Sequence, residues 1–108
     1  MKAMPRKRPE VSWNEIRNLT ERYEWTEGGR RRVGFNPPGG KDGKGVRRLA
    51  YHVRYITIHG NVEEGDVVTL KVFPHIRQRM IQFVNSRQIR QIRDYLIIEI
   101  DGIRIVTH

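Results

Sequence analysis

The residues with the clearest chemistry in this 108-residue chain are its 21 lysines and arginines, set against 12 aspartates and glutamates for a net charge of +9. Arg30, Arg31 and Arg32 run consecutively, Arg47 and Arg48 follow a glycine-rich stretch containing Lys41 and Lys44, and Arg54 lies just beyond. Arg87, Arg90 and Arg93 form a further series, interleaved with Gln88 and Gln91. Guanidinium groups present several N–H donors in a plane that matches phosphate oxygens, and each phosphate neutralised releases condensed counterions. The positive charge is also segregated: +4 over residues 1–9, −3 over 10–27, +7 over 28–60, −2 over 61–74, +5 over 75–93 and −2 over 94–108. A charge that served only solubility would not need this clustering, so the pattern points to nucleic acid.

Catalytic chemistry finds less support. The four histidines, at 52, 59, 75 and 108, are not arranged in a metalloprotease or nucleophile motif. His52 and His59 are seven residues apart, which on a strand puts them on opposite sides, so they do not make a metal pair. There is no cysteine and hence no thiolate zinc site, thiol nucleophile or disulfide framework. Gly39 to Lys44 has the wrong spacing for a P-loop, and Gly45 stands where a Ser or Thr would bind magnesium. No cofactor or metal is expected. The enzyme alternative is a metal-independent ribonuclease, with arginines stabilising the phosphorane and His75 as acid or base. A third reading is a structural protein of a viral or ribonucleoprotein particle, a homo-oligomer burying Trp13, Trp25 or Tyr95 at a subunit contact.

The expected interface therefore comprises Arg30, Arg31, Arg32, Lys41, Lys44, Arg47, Arg48, His52, Arg54, Arg87, Arg90 and Arg93, holding DNA or RNA, single-stranded or duplex, mainly through its phosphates. With no apolar run of about 20 residues and no apolar leader after MKAMPRKRPE, a cytoplasmic or other intracellular setting is expected, without a membrane partner and with nucleoid or virion association allowed.

These side chains need elements to position them. Residues 1–9 read as a flexible basic arm and 10–108 as one domain. Ser12 with Glu15 has the spacing of a capping box, Val11 and Ile16 fit the hydrophobic staple, and Ile16, Leu19 and Tyr23 recur at helical spacing up to Gly28-Gly29, which predicts an N-terminal helix. Val33 and Phe35 suggest a short strand before the NPPGGKDGKG loop at 36–45, read as a basic arm that becomes ordered on a ligand. From Leu49 the alternation is strict: Leu49, Tyr51, Val53 and Tyr55 face one way, His52 and Arg54 the other. The first set is expected inside, because Leu49 and Val53 share its face. Val67 to Phe73 reads as the next strand.

Residues 75–95 read as helical, but Ile76, Met80, Phe83 and Val84 fall on one face and Ile89, Ile92 and Leu96 roughly 160–220° away. This predicts two helices broken at Asn85-Ser86. Asp101-Gly102 between LIIEI and IRIVTH is a type I′ hairpin signal pairing Ile100 with Ile103 and Glu99 with Arg104. The expected class is α+β: an N-terminal helix with an antiparallel sheet or an OB-like barrel, and a helix or helix pair before the C-terminal hairpin. The competing arrangement is a winged helix with Arg87, Arg90 and Arg93 on its recognition helix.

Overall fold

A computed structural model of the protein describes residues 10–35 and 46–106. The basic arm at 1–9 and the loop at 36–45, with Lys41 and Lys44, lie outside the described residues.

Strict alternation makes β5 (Tyr51–Ile56) a half-buried strand: Tyr51, Val53 and Tyr55 are buried while His52 and Arg54 are exposed. The face expected to meet the core does so. β5 pairs antiparallel with β6 (Val62–Phe73), and β6 with β7 (Gln78–Phe83), which pairs with β8 (Ile89–Arg93). On the other side of β5 lies β9 (Ile97–Ile100), joined to β10 (Ile103–Val106) through Asp101 and Gly102, both at positive φ as a type I′ turn requires. Here Ile103 faces Ile100 and Arg104 faces Glu99, the register read from the sequence. β1 (Glu10–Ser12) adds parallel to β10, completing a seven-stranded sheet in the order β1-β10-β9-β5-β6-β7-β8. A second sheet has the order β3-β2-β4, from β2 (Tyr23–Glu27), β3 (Arg30–Gly34) and β4 (Arg47–Arg48).

The large sheet has to curl. β9 lies four strand positions from β8, about 19 Å in a flat sheet, yet the chain passes from Arg93 to Ile97 through the 3-10 turn Asp94–Leu96, a reach of about 14 Å at most. Curling wraps one face around a core of Val53, Tyr55, Val67, Ile81, Ile92, Ile97 and Ile100, on which Ile16 of the five-residue helix α1 (Ile16–Thr20) also packs. Truncating one of the fully enclosed isoleucines to Ala is worth about 2–5 kcal/mol.

The α+β expectation is overturned. The protein is mostly β, and among the described residues no helix reaches seven residues. The N-terminal helix stops at Thr20, because Tyr23–Glu27 is taken up as the central strand of the second sheet. Val11 and Ile16 do reach the core, but the helix starts from Glu15 without a side-chain cap. The helix pair is a β-hairpin, β7–β8. Residues 78–83 alternate, with Arg79 and Ile81 buried, and Ile89 and Ile92, which share one face of the helical wheel, point to opposite faces of β8, Ile92 buried and Ile89 exposed. Asn85-Ser86 does mark a break, as the turn between two strands, with Arg87 at φ 60°. Neither the OB-like barrel, which needed a helix before the last hairpin, nor the winged helix survives this. No helix of the described residues is long and apolar enough to cross a membrane.

Among the described residues the core holds one buried cation. Arg79 is 2% exposed; its Nε and Nη2 donate to the two carboxylate oxygens of Asp94 at 2.8 and 3.3 Å, and its Nη1 donates to the Thr20 hydroxyl. Burial opposes the charge, but the hydrogen bond and field of Asp94 outweigh it and raise the Arg79 pKa. The same polar layer includes the Tyr51 hydroxyl, 2.7 Å from Thr69 Oγ1, with its pKa pushed up to about 12 chiefly by burial.

Candidate nucleic-acid interface

The second sheet is a twisted ribbon built on a two-residue turn. Gly28 and Gly29 have φ of 57° and 79°, the paired positive values of a type I′ hairpin, which a side chain would strain. The turn sets Tyr23 opposite Gly34, Trp25 opposite Arg32 and Glu27 opposite Arg30, while β4 sets Arg48 opposite Tyr23 and Arg47 opposite Glu24. Residues directly opposite one another share a face. One face of the ribbon therefore carries Tyr23, Trp25, Arg30, Arg32, Arg48 and Glu27; the reverse carries Glu24, Thr26, Arg31, Val33 and Arg47.

The aromatic face is held in place locally. A Cβ on Gly34 would come within 2.9 Å of Trp25 Cη2, so glycine is what lets the indole lie over β3. The Arg48 guanidinium sits 5.9 Å from the Tyr23 ring centroid, and its Nη1 donates to the Thr69 carbonyl, tying β4 to the large sheet. At the base of the ribbon, Asp101 accepts the His52 backbone N–H at 2.8 Å and pairs with Arg22 at 3.3 Å. Tyr23 and Trp25 are half-buried, and all five arginines of the ribbon are exposed.

Glutamates neutralise part of the charge. Arg32 pairs with Glu27 at 3.0 Å and Arg31 with Glu24 at 3.3 Å. Arg30 and Arg47 have no carboxylate within ion-pair distance among the described residues. Exposed pairs of this kind are worth at most about 1 kcal/mol, so a phosphate can displace them at small cost.

The remaining expected residues fall elsewhere. His52 and Arg54 project from the outer face of β5 into an acidic setting: His52 lies 3.0 Å from Asp66 and 3.2 Å from Glu64, and Arg54 is flanked by Glu64 on β6 and Glu99 on β9. The hydrogen bonds to Glu64 and Asp66 raise the His52 pKa above its usual value. On this face both side chains are set against carboxylates. Arg87, Arg90 and Arg93 belong to β8 and the turn before it, not to a recognition helix. The structure thus divides the expected set into the ribbon arginines, the pair on β5 and the β8 series. His75, the ribonuclease candidate, is exposed in the 3-10 turn Pro74–Ile76, and Tyr95 is half exposed. Among the described residues no group of three His, Asp or Glu side chains is placed to hold a metal ion.

Sequence reasoning did not set Tyr23 and Trp25 among the ribbon arginines. Their alternation with Glu24 and Thr26, followed by Gly28-Gly29, is a hairpin signal that the helical spacing of Ile16, Leu19 and Tyr23 obscures. Comparison of the chain with models of protein families, with curated proteins and with solved structures finds no match.

Proposed function

We propose that the protein binds nucleic acid, with a preference for single strands, through the face of the β3-β2-β4 ribbon that carries Tyr23, Trp25, Arg30, Arg32 and Arg48. The observation that carries the reading is the cross-strand placement of Trp25 against Arg32 and of Tyr23 against Arg48, two half-buried aromatic side chains sharing one ribbon face with arginines. A single strand offers both complements, since its unpaired bases stack on aromatic rings while its phosphates meet the arginines. A ribbon narrow enough for three strands can follow the backbone without needing a deep cleft. The positive charge of the whole chain adds long-range attraction and a steep salt dependence.

Stacking and charge separate in one experiment. Trp25 lies outside the main core cluster, so Trp25→Ala should leave the fold intact while removing about 1–3 kcal/mol of single-strand affinity, the worth of one stacked base. Fluorescence titration of the wild type with a short oligonucleotide should quench the Trp25 contribution. Equal affinity of wild type and variant for single-stranded DNA and RNA would rule out the aromatic face as the platform.

A further inference from the structure

β8 closes one end of the seven-stranded sheet and pairs only with β7 among the described residues, leaving one row of its backbone N–H and C=O groups without a strand partner. Beside it runs a cleft of about 580 Å³ lined by Arg90, Gln91, Ile92 and Arg93 in succession. Consecutive residues of a strand point to alternate faces, so a cleft that touches four in a row lies along the strand's edge. The opposite wall is mixed, with Tyr55, Ile56, Ile58 and Leu96 supplying its apolar part and Thr57, His59, Asn61 and Glu63 its polar part. Curling of the sheet produces this arrangement by bringing the end of the β5–β6 hairpin round to face β8.

The edge is cationic. Arg90 donates to Gln88 Oε1 and to the Ile89 carbonyl, each at 3.0 Å, and neither Arg90 nor Arg93 has a carboxylate within ion-pair distance among the described residues. A second copy of this chain is a poor occupant, because pairing two β8 edges (Ile89–Arg93) would bring four arginines together and no carboxylate. We propose that the β8 edge receives an extended acidic peptide segment of a partner protein, added antiparallel as a further strand. Arg90 and Ile92 share the core-side face of β8, opposite Ile81 and Arg79 of β7, and Arg93 points to the other face. The recognised segment therefore reads acidic, apolar, any residue, acidic: the two acids oppose Arg93 and Arg90, and the apolar side chain opposes Ile92 and enters the cleft. Glu63, which also lines the cleft and accepts the Tyr55 hydroxyl at 3.1 Å, disfavours a carboxylate at the apolar position. Main-chain hydrogen bonds supply affinity in such strand addition and the alternate side chains supply specificity.

This inference uses residues outside the ribbon and stands independently of the nucleic-acid reading. The test is titration of the full chain with a fluorescent ten-residue peptide whose centre is Glu-Leu-Thr-Glu. Saturable binding is expected, weakened about tenfold or more by Arg90→Glu with Arg93→Glu and about tenfold by Ser in place of the peptide leucine. A peptide N-methylated at alternate amides keeps its charge but loses its ladder bonds and should not bind. Amide exchange at residues 89–93 should slow on adding the unmodified peptide. Undiminished binding of the N-methylated peptide would reduce the surface to a charge attraction, and absence of saturation at about 1 mM peptide would remove it altogether. Complete displacement of the peptide by a single-stranded oligonucleotide in the Trp25→Ala variant would assign the edge to nucleic acid and overturn the proposal.

Discussion

Removing the Asp94 carboxylate should cost this small protein a large part of its stability, because it leaves a buried guanidinium without its main partner. Arg79 is 2% exposed and Asp94 13%. In Asp94→Ala the two bonds at 2.8 and 3.3 Å disappear, leaving the Thr20 hydroxyl and Glu21, whose Oε2 lies 3.7 Å from Nη2. Breaking a buried pair by deleting one partner costs about 3–5 kcal/mol, and the proximity of Glu21 places the expectation at the lower end, about 3 kcal/mol. At about 4 °C per kcal/mol, the melting temperature should fall by roughly 12 °C. The double variant Arg79→Met, Asp94→Leu removes both charges and should recover most of the loss, since a well-packed apolar pair is often as stable as the ion pair it replaces. Urea unfolding followed by tryptophan fluorescence, on wild type, Arg79→Met, Asp94→Leu and the double variant, gives the coupling energy directly. A loss below about 1 kcal/mol in Asp94→Ala, or simple additivity in the double variant, would refute the reasoning.

Three further outcomes are expected. Tyr51→Phe leaves the buried Thr69 hydroxyl without its 2.7 Å partner and should cost about 1–2 kcal/mol in urea unfolding, whereas no change would mean that this bond has no net worth. Gly34→Ala drives a Cβ to within 2.9 Å of the Trp25 indole, so the ring must move; a shifted tryptophan emission and weaker single-strand binding should follow, and an unchanged spectrum would contradict the stacking of the indole on β3. The raised pKa of His52, set by Glu64 and then Asp66, contributes stability that is fully present below the unfolded value of about 6.5 and disappears as pH rises through the higher folded value. All three side chains are half exposed, which limits the effect to less than about 1 kcal/mol. Melting temperature measured from pH 5.5 upward should therefore decline slightly in the wild type relative to His52→Gln.

What could be read from the sequence was whatever short-range chemistry determined. The Asp101-Gly102 turn needs two positive φ values and fixes its own register, and the alternation of Tyr51, Val53 and Tyr55 identifies the inner face of β5 without reference to any other strand. What failed depended on pairing between distant segments. Ile16, Leu19 and Tyr23 have helical spacing, yet Tyr23 is drawn into a strand by partners at Gly34 and Arg48. Ile89 and Ile92 repeat at three residues as a helix would, but β7 is available to pair with, and only Ile92 is buried. The opposed faces of the helical wheel over 75–95 already signalled that no single core could accept such a helix. For the site, the arginines were visible as charge, but the aromatic residues between them were not, because they join the arginines only across the ribbon. The separation of the β8 series from the ribbon likewise depends on topology, which charge counting along the chain does not contain.

The central claim is that the outward arginines of the ribbon meet phosphates, and its most direct test is the salt dependence of single-strand binding in Arg30→Gln with Arg32→Gln. Both side chains are exposed and outside the core, so the melting temperature should hold. Each phosphate contact contributes about 0.7 to the slope of log K against log salt for a single strand, so the slope should become shallower by about 1.4. A wild-type slope near zero, or a double variant with the wild-type slope, would contradict the account.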